Sequence, residues 1–148
     1  MKYKLIIDKN KEESIVITAH EKSQLILDIE SLIKNEIYTI NGYKDDKIFT
    51  LELERLYAFY TSNGKVYAVC EKDEYLVKER IYQIEELVSN TFIKINQGCI
   101  INVKKISRFE SNIGGSIKVI LRNDFSDYIS RRELKNVKRR MGLWENTL

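Results

Sequence analysis

Across residues 53–129 the chain is a succession of short apolar segments separated by turn residues. Many of these segments are rich in β-branched and aromatic residues, which favours strands over helices. Asn63-Gly64 separates two of them, and this dipeptide is the strongest short-range signal for a β-hairpin turn. The pattern predicts strands at residues 56–61, 65–70, 74–78, 92–95, 99–103, 106–111, 116–121 and 125–129.

Two helices interrupt and close this succession. Apolar residues at helical spacing place the first helix at residues 79–88. The second begins after Ser130, because Ser130 and Glu133 match a capping box in which each side chain binds the other residue's backbone N–H. Gly142 is a natural stop for this helix. One of its faces is apolar, and the other carries Arg131, Arg132, Lys135, Lys138, Arg139 and Arg140.

The first 49 residues follow a different pattern, with a smaller predicted unit. Its predicted elements are two strands, a helix and two further strands, at residues 4–8, 14–18, 22–35, 37–40 and 47–53. The helix carries one apolar stripe, made of Leu25, Ile29, Leu32 and Ile33. This stripe can pack internally or against a second protomer. The unit is too small for a phosphoacceptor receiver domain, which needs a complete α/β domain.

The formal net charge of +3 conceals an uneven distribution. Residues 1–90 carry 13 basic and 17 acidic side chains, whereas residues 91–142 carry 12 basic and 4 acidic ones. A basic region of this kind indicates a polyanionic partner such as nucleic acid. The alternative is a solvated basic surface without a partner.

Few residues suit catalysis or metal binding. His20 is the only histidine, so neither a Ser-His-Asp triad nor a multi-histidine metal site can be assembled, and we expect it to be structural or exposed. Two cysteines, Cys70 and Cys99, favour a reducing cytoplasm, with Cys99 in the core. Gly114-Gly115 lacks the Lys-Ser/Thr of a phosphate-binding loop. We therefore expect no enzyme activity, no metal and no cofactor. No apolar run approaches the roughly 18 residues of a membrane span.

The side chains suited to DNA lie in predicted loops and at the start of the last helix. Arg131 and Arg132 follow the capping Ser130, and an arginine there can bind guanine O6 and N7 with two hydrogen bonds. Because amide side chains can read adenine similarly, the predicted base-reading residues are Arg131, Arg132, Asn96, Gln97, Asn63 and Lys65. The residues predicted to bind phosphates, which position a protein without reading sequence, are Lys94, Lys104, Lys105, Lys118, Lys135 and Ser130.

Residues 92–106 resemble the core signature of the LytTR DNA-binding domain family. That signature is an aromatic residue, a basic residue two positions later, a polar loop, an aliphatic-aliphatic-Asn strand end and a following Ile. The resemblance continues through Phe109-Glu110-Ser111, the Gly114-Gly115-Ser116 turn and the next strand, and it finishes with Ile129-Ser130-Arg131-Arg132 and a basic helix. Upstream, residues 56–66 and 75–87 resemble the family's first strands, loop and helix.

The resemblance implies an α+β fold, predominantly antiparallel β in small stacked sheets, with a small N-terminal α/β appendage and no helix-turn-helix. It also implies that loops enter successive major grooves and that the duplex bends around them. Carried over to this chain, the three reading loops are residues 62–65, 96–97 and 130–132, and Arg131 best matches the family's base-contacting arginine. Some members have a His in the first loop, and this chain has none there. The resemblance therefore leaves open that residues 62–65 contact phosphates only.

These features predict a cytoplasmic, sequence-specific DNA-binding transcriptional regulator. The expected division is a dimerisation or regulatory segment, a LytTR-like DNA-binding domain and a tail, at residues 1–49, 50–142 and 143–148. The N-terminal residues also resemble a subgroup of LytTR regulators that lack a receiver domain and are paired with a small membrane protein. The expected partners are double-stranded DNA, a second protomer on repeated sites and such a membrane protein. The alternative is a protein-interaction module whose basic face docks an acidic or membrane partner.

Overall fold

The computed structural model describes residues 2–34, 39–88 and 91–143. Their contacts separate two compact units, one within residues 1–34 and the other within residues 35–148. The described part of the first unit is called the N-terminal segment here, and the described part of the second is called the body. Of the predicted strand at 37–40 and the tail at 143–148, residues 37–38 and 144–148 lie outside the described ranges.

Strands make up most of the body. Its ten described strands are β1 Thr39–Lys44, β2 Lys47–Glu52, β3 Ala58–Ser62, β4 Lys65–Val69, β5 Glu74–Val77, β6 Phe92–Asn96, β7 Cys99–Asn102, β8 Ile106–Ser111, β9 Ile117–Leu121 and β10 Ser126–Ile129. The helices are α1 Gln24–Lys34 in the N-terminal segment, and α2 Ile81–Leu87 and α3 Arg131–Met141 in the body, with 3-10 turns at Leu53–Arg55 and Val103–Lys105. Every described strand pairing is antiparallel, which confirms the predicted fold class.

The body is layered around one large sheet. Seven strands form it in the order β2-β1-β5-β4-β3-β7-β6, and three form a second sheet in the order β10-β9-β8. Successive side chains of a strand point to opposite faces. In β7, Ile100 therefore packs in one core with Ile84 of α2, while Ile101 packs in the other core with Val119 of β9. The large sheet is covered on both faces, by α2 on one side and by the small sheet and α3 on the other.

The first hairpin belongs to this sheet. Tyr43 of β1 pairs with Leu76 of β5, so β1 and β2 are part of the body, and the division expected at residue 50 falls inside the sheet. Strand β1 also continues beyond its predicted end at residue 40, to Lys44, and the turn is formed by Asp45 and Asp46, with φ of 51° and 58°. Gly42 serves packing instead, since a Cβ there would lie 2.7 Å from the Cβ of Tyr75.

The N-terminal segment differs from its prediction. Helix α1 is present, but the strands expected at 4–8 and 14–18 do not form, and both stretches are exposed. They flank a turn in which the amide of Asn10 donates to Asp8 Oδ1 at 3.0 Å. Local composition favours extended backbone, but a strand also needs a hydrogen-bonded neighbour, and an isolated hairpin is marginal in water. In α1 the buried residue is Ile26, whereas Leu25 and Leu32 of the predicted stripe are 50% and 73% exposed.

Candidate nucleic-acid interface

Three connections between strands and the junction of β10 with α3 meet at one edge of the body. The amide of Thr61, at the end of β3, donates to the carbonyl of Gly98 in the β6–β7 turn at 2.8 Å. The amide of Ser130 donates to the carbonyl of Ile95 at 2.8 Å, and Ile129 pairs with Ile117. We call this surface, residues 62–65, 96–98, 112–116 and 130–132, the loop edge. It brings the three predicted reading loops together.

The first of these connections is a tight hairpin turn. Asn63 and Gly64 both have left-handed backbone, with φ of 51° and 74°. Positive φ at both central residues is the pattern of the type I′ turn, which Asn-Gly favours because these residues tolerate that conformation. The turn presents Asn63 and Lys65 as exposed side chains at the loop edge.

The start of α3 is fixed by bonds that the sequence predicted only in part. Ser130 Oγ accepts the amide of Glu133 at 3.4 Å, as expected of an N-cap. The reciprocal half of the capping box is replaced, because the Ser130 amide donates to Ile95 in β6. At the other end, Arg140 Nη1 donates to the carbonyl of Phe92 at 2.9 Å. Gly142 ends the helix in left-handed backbone, φ 68°, as predicted.

Arg131 and Arg132 project from this junction. Both are exposed, and within the described residues neither guanidinium makes a hydrogen bond or an ion pair. A groove of about 580 Å³ runs from Arg131 along α3, and its lining residues are Arg131, Leu134, Lys135, Lys138, Arg139 and Leu143. The two arginines therefore retain all their donors for a ligand, and the adjoining surface is basic.

The two polar residues of the β6–β7 turn differ in whether their side chains are free to bind a ligand. Gln97 is exposed. Asn96 is half-buried, and its Nδ2 donates to the Tyr128 carbonyl at 2.8 Å and to Asp127 Oδ2 at 3.2 Å. Its Oδ1 accepts the amide of Gly98 at 2.9 Å. Asn96, predicted as a base reader, is thus occupied by internal bonds.

The β8–β9 turn is a part of the loop edge that sequence reasoning missed. Asn112 Nδ2 donates to Tyr128 Oη at 3.3 Å, and Lys118 Nζ lies 5.9 Å from the centre of the Tyr128 ring. Ile113 at the tip is fully exposed. The sequence shows a turn here, but only the pairing of β8, β9 and β10 places that turn beside Ser130.

Three of the predicted phosphate contacts lie elsewhere or are engaged. Lys94 Nζ forms an ion pair with Glu85 at 3.4 Å. Lys104 and Lys105 follow the far end of β7, so they lie across the sheet from the β6–β7 turn. Lys105 Nζ packs 5.1 Å from the centre of the Tyr57 ring. We call this surface, residues 53–57, 70–73, 102–105 and 122–125, the opposite edge. Lys118, Lys135 and Ser130 remain beside the loop edge.

The remaining candidate groups offer no alternative chemistry. Cys99 is fully buried, as expected, and burial, with a smaller contribution from Asp127, raises the pKa of its thiol. His20 is exposed. Among the described residues, no group of three or more His, Cys, Asp or Glu side chains is arranged to hold a metal ion. No helix within the described ranges has the length and apolar character needed to cross a membrane.

The fold and the loop edge define a β-rich domain with exposed polar and basic residues in the loops at its strand ends. The chain matches the LytTr DNA-binding domain family over residues 46–142, and it belongs to that family. The family is a DNA-binding one, which confirms the expectation of a non-enzymatic protein.

Comparisons with individual proteins agree with this assignment. An uncharacterized HTH-type transcriptional regulator of Staphylococcus aureus strain NCTC 8325 is 27% identical over 146 residues, which is 97% of this chain and 99% of the relative. The corresponding regulator of strain MRSA252 has the same identity and coverage. A solved LytTr DNA-binding domain from Bacillus cereus superposes with a TM-score of 0.68 at 15% identity, covering 72% of this chain and 99% of that one.

The fold also bears on the HTH-type description of these relatives. In the body, α2 and α3 are separated along the chain by five strands, β6 to β10. A helix-turn-helix motif joins two helices by a turn of a few residues. Within the described ranges, α2 and α3 therefore do not form such a motif.

Proposed function

We propose that this chain is a sequence-specific DNA-binding transcriptional regulator whose loop edge reads successive major grooves. The observation that carries this proposal is the convergence of three polar loops at one edge, where Arg131 and Arg132 lie at a capped helix start and are unengaged among the described residues. Bidentate contact with guanine needs an exposed arginine whose donors are free and whose position is fixed. The proposed base readers are Arg131, Arg132, Gln97, Asn63 and Lys65.

The phosphate contacts are proposed to flank these readers. Lys118 and Lys135 lie on β9 and α3 beside the loop edge, and the helix start at Ser130 offers backbone amides that favour an anion. Such contacts fix the register of the protein without reading sequence. Lys94, Lys104 and Lys105 are left out of this set because of the placements described above.

Selection of bound duplexes from a random pool tests the proposal directly. The full chain is expected to enrich a defined motif, and the selected duplex should be retarded in a mobility shift despite excess random competitor. Repeating the shift at two salt concentrations separates the electrostatic part of binding from the specific part. Enrichment of no motif, with retention on an acidic protein or an anionic vesicle instead, would favour an interaction module and contradict the proposal.

Self-association through the N-terminal segment is the second part of the proposal. Eleven large apolar side chains between positions 3 and 33 are exposed, against six in the body. The segment carries six basic and six acidic residues, so a second copy meets no net repulsion. A chain segment this short cannot bury a sufficient core alone. A second protomer, whose segment has the same excess of apolar surface, is the proposed occupant, and it would place two bodies on repeated DNA sites.

The oligomeric state of the full chain tests this part. Replacing Leu25 and Leu32 together by serine is expected to weaken dimerisation by about 2 kcal/mol or more, since both side chains would lose buried apolar contact. Tyr82→Ser is the matched control, because Tyr82 is also an exposed apolar residue on a helix. Light scattering after size exclusion that finds monomers in the wild type would contradict dimerisation and favour a different partner, such as a small membrane protein.

The mode of control follows from the same segment. With one helix and no strand in its described residues, the N-terminal segment lacks the alternating strands and helices of a receiver domain. We therefore place control in a protein contact of this segment rather than in a phosphorelay, and place the protein in the cytoplasm with its DNA. Binding to the selected duplex that is unchanged by a small phosphodonor would support this mode of control.

A further inference from the structure

We infer that Asn96 is a positioning residue, which sets the spacing between the β6–β7 turn and the start of α3 and acts on DNA through Gln97 and Arg131. This inference rests on the DNA-binding function proposed above. It assigns Asn96 a different role from that of its neighbour, although the two side chains carry the same amide group.

The hydrogen-bonding capacity of the Asn96 side chain is used within the protein. An Asn amide has two N–H donors and one oxygen acceptor. In Asn96 both donors are directed inward, to the Tyr128 carbonyl and to Asp127 Oδ2, and the oxygen accepts the Gly98 amide. Bidentate reading of adenine needs a donor and an acceptor together. Asn96 would have to give up these bonds to read a base, whereas Gln97 would give up none that the described residues supply.

The backbone beside Asn96 also joins the two loops. The pairing of β6 with β7 shifts register between Lys94 and Asn96, which is a β-bulge. Bulges change the direction in which neighbouring groups point. Here the carbonyl of the fully buried Ile95 accepts the Ser130 amide at 2.8 Å. The bulge therefore supplies one bond to the start of α3, and the adjacent Asn96 side chain supplies two more to β10.

These bonds lie immediately before the proposed readers in the sequence. Gln97 follows Asn96, and Arg131 follows Ser130. Bases in a duplex have fixed spacing, so two reading loops must keep a fixed separation, and a functional constellation tolerates errors of only about 0.5 Å. Asn96 and the bulge join the two loops at the positions where such an error would arise.

Asp127 provides a test, because positioning and electrostatics predict opposite effects on DNA binding when its side chain is removed. Its carboxylate binds Asn96 beside the loop edge, which is proposed to face phosphates, so its negative charge should oppose DNA binding. Both oxygens are engaged, Oδ2 by Asn96 and Oδ1 by the amide of Tyr128 at 2.8 Å. If Asp127 helps to hold Asn96, then removing the charge weakens discrimination between sequences, although electrostatics alone would strengthen binding.

The experiment compares the full-chain wild type with Asn96→Ala, Asp127→Ala and Gln97→Ala. Affinities are measured for the selected duplex and for its single-base-pair substitutions. Asn96→Ala and Asp127→Ala are each expected to lower discrimination about tenfold at the positions read by Gln97 and Arg131 together. Gln97→Ala should lower it only where Gln97 contacts a base. Combining Asn96→Ala with Arg131→Ala should add little, because a positioning residue acts through its reader.

Several results would overturn the inference. One is a loss of discrimination at a single base pair in Asn96→Ala, which is the signature of a base reader. Another is unchanged or tighter specific binding by Asp127→Ala. This variant tests the inference even if Asn96→Ala fails to fold. Without DNA, hydrogen exchange at the Ser130 amide should be faster in Asp127→Ala, and an unchanged rate would contradict the coupling. A wild type that does not discriminate at all contradicts the proposed function itself, which separates the two failures.

Discussion

The two edges of the body contain similar polar residues, but those compared at the opposite edge are hydrogen-bonded within the protein and those at the loop edge are exposed. At the opposite edge, the side chain of Asn102 is buried, with Nδ2 donating to the Leu56 carbonyl at 2.9 Å and Oδ1 accepting the Lys104 amide at 3.0 Å. At the loop edge, Gln97 and Arg131 are exposed and unengaged within the described residues. The difference shows which polar groups maintain the fold and which remain available to a partner.

The turns of the two edges differ in the same way. In the opposite edge, Asn123 Nδ2 donates to the Cys70 carbonyl at 3.0 Å and Oδ1 accepts the Phe125 amide at 3.1 Å, so this turn is tied to its neighbour. In the loop edge, a Cβ at Gly64 would meet nothing within 4 Å, so that turn projects freely. Turns with similar residues therefore have different roles: the turn at the opposite edge is bonded to a neighbouring segment, and the turn at the loop edge is accessible to a partner.

The largest expected effect concerns stability. Asn102→Ala leaves the Leu56 carbonyl and the Lys104 amide without partners, and we expect a loss of about 2–4 kcal/mol in the free energy of unfolding in urea. Gln97→Ala, the comparison at the loop edge, should change it by less than about 0.5 kcal/mol. Equal losses in the two variants would remove the contrast between the edges.

A smaller effect is expected for paired lysine substitutions and DNA. Lys135→Ala, at a proposed phosphate contact, should weaken binding to selected and random duplexes alike, and should reduce the slope of log K against log salt by about 1, because one phosphate contact is lost. Lys104→Ala removes the same charge at the opposite edge and should leave the slope unchanged. Mobility shifts over a salt series measure both. A reduced slope for Lys104→Ala would extend the DNA footprint to the opposite edge.

The smallest effect lies between the edges, on β3. Burial, with a hydrogen bond of 2.6 Å to Glu74, raises the pKa of Tyr60 from 10.0 to about 12. The folded state therefore holds this proton more tightly than the unfolded state, and the associated stability is present below about pH 10 and lost as pH rises toward 12. Tyr60→Phe should lose less stability than the wild type over this alkaline range in denaturant unfolding. Parallel losses in both proteins would contradict this contribution.

What the sequence predicted correctly is mostly local. Asn63-Gly64 predicts its turn because both residues tolerate left-handed backbone, and Ser130 predicts the start of α3 because its side chain caps the helix. The strands of the body followed from β-branched runs. The family assignment extended these local signals to the fold and to the loops proposed to bind DNA.

What it could not predict depends on partners distant in the chain. Asn96 and Gln97 are adjacent amides, and only the packing of β10 beside β6 distinguishes the engaged residue from the available one. Lys104 matches the composition of a phosphate contact, but the length of β7 carries it to the opposite edge. The strands predicted at 4–8 and 14–18 have suitable composition, but the described part of the chain supplies no neighbouring strand to complete their hydrogen bonds.

The central claim is that the loop edge reads DNA sequence through Arg131. It is tested most directly by the ratio of affinities for the selected duplex and a random duplex, measured for the wild type, Arg131→Ala and Arg122→Ala. Arg122 is an exposed arginine at the opposite edge, so the charge change is matched. The free energy of discrimination, which is RT times the logarithm of this ratio, should fall in Arg131→Ala by about 1–3 kcal/mol. It should be unchanged in Arg122→Ala. An unchanged ratio in Arg131→Ala, or equal falls in both variants, would contradict the account.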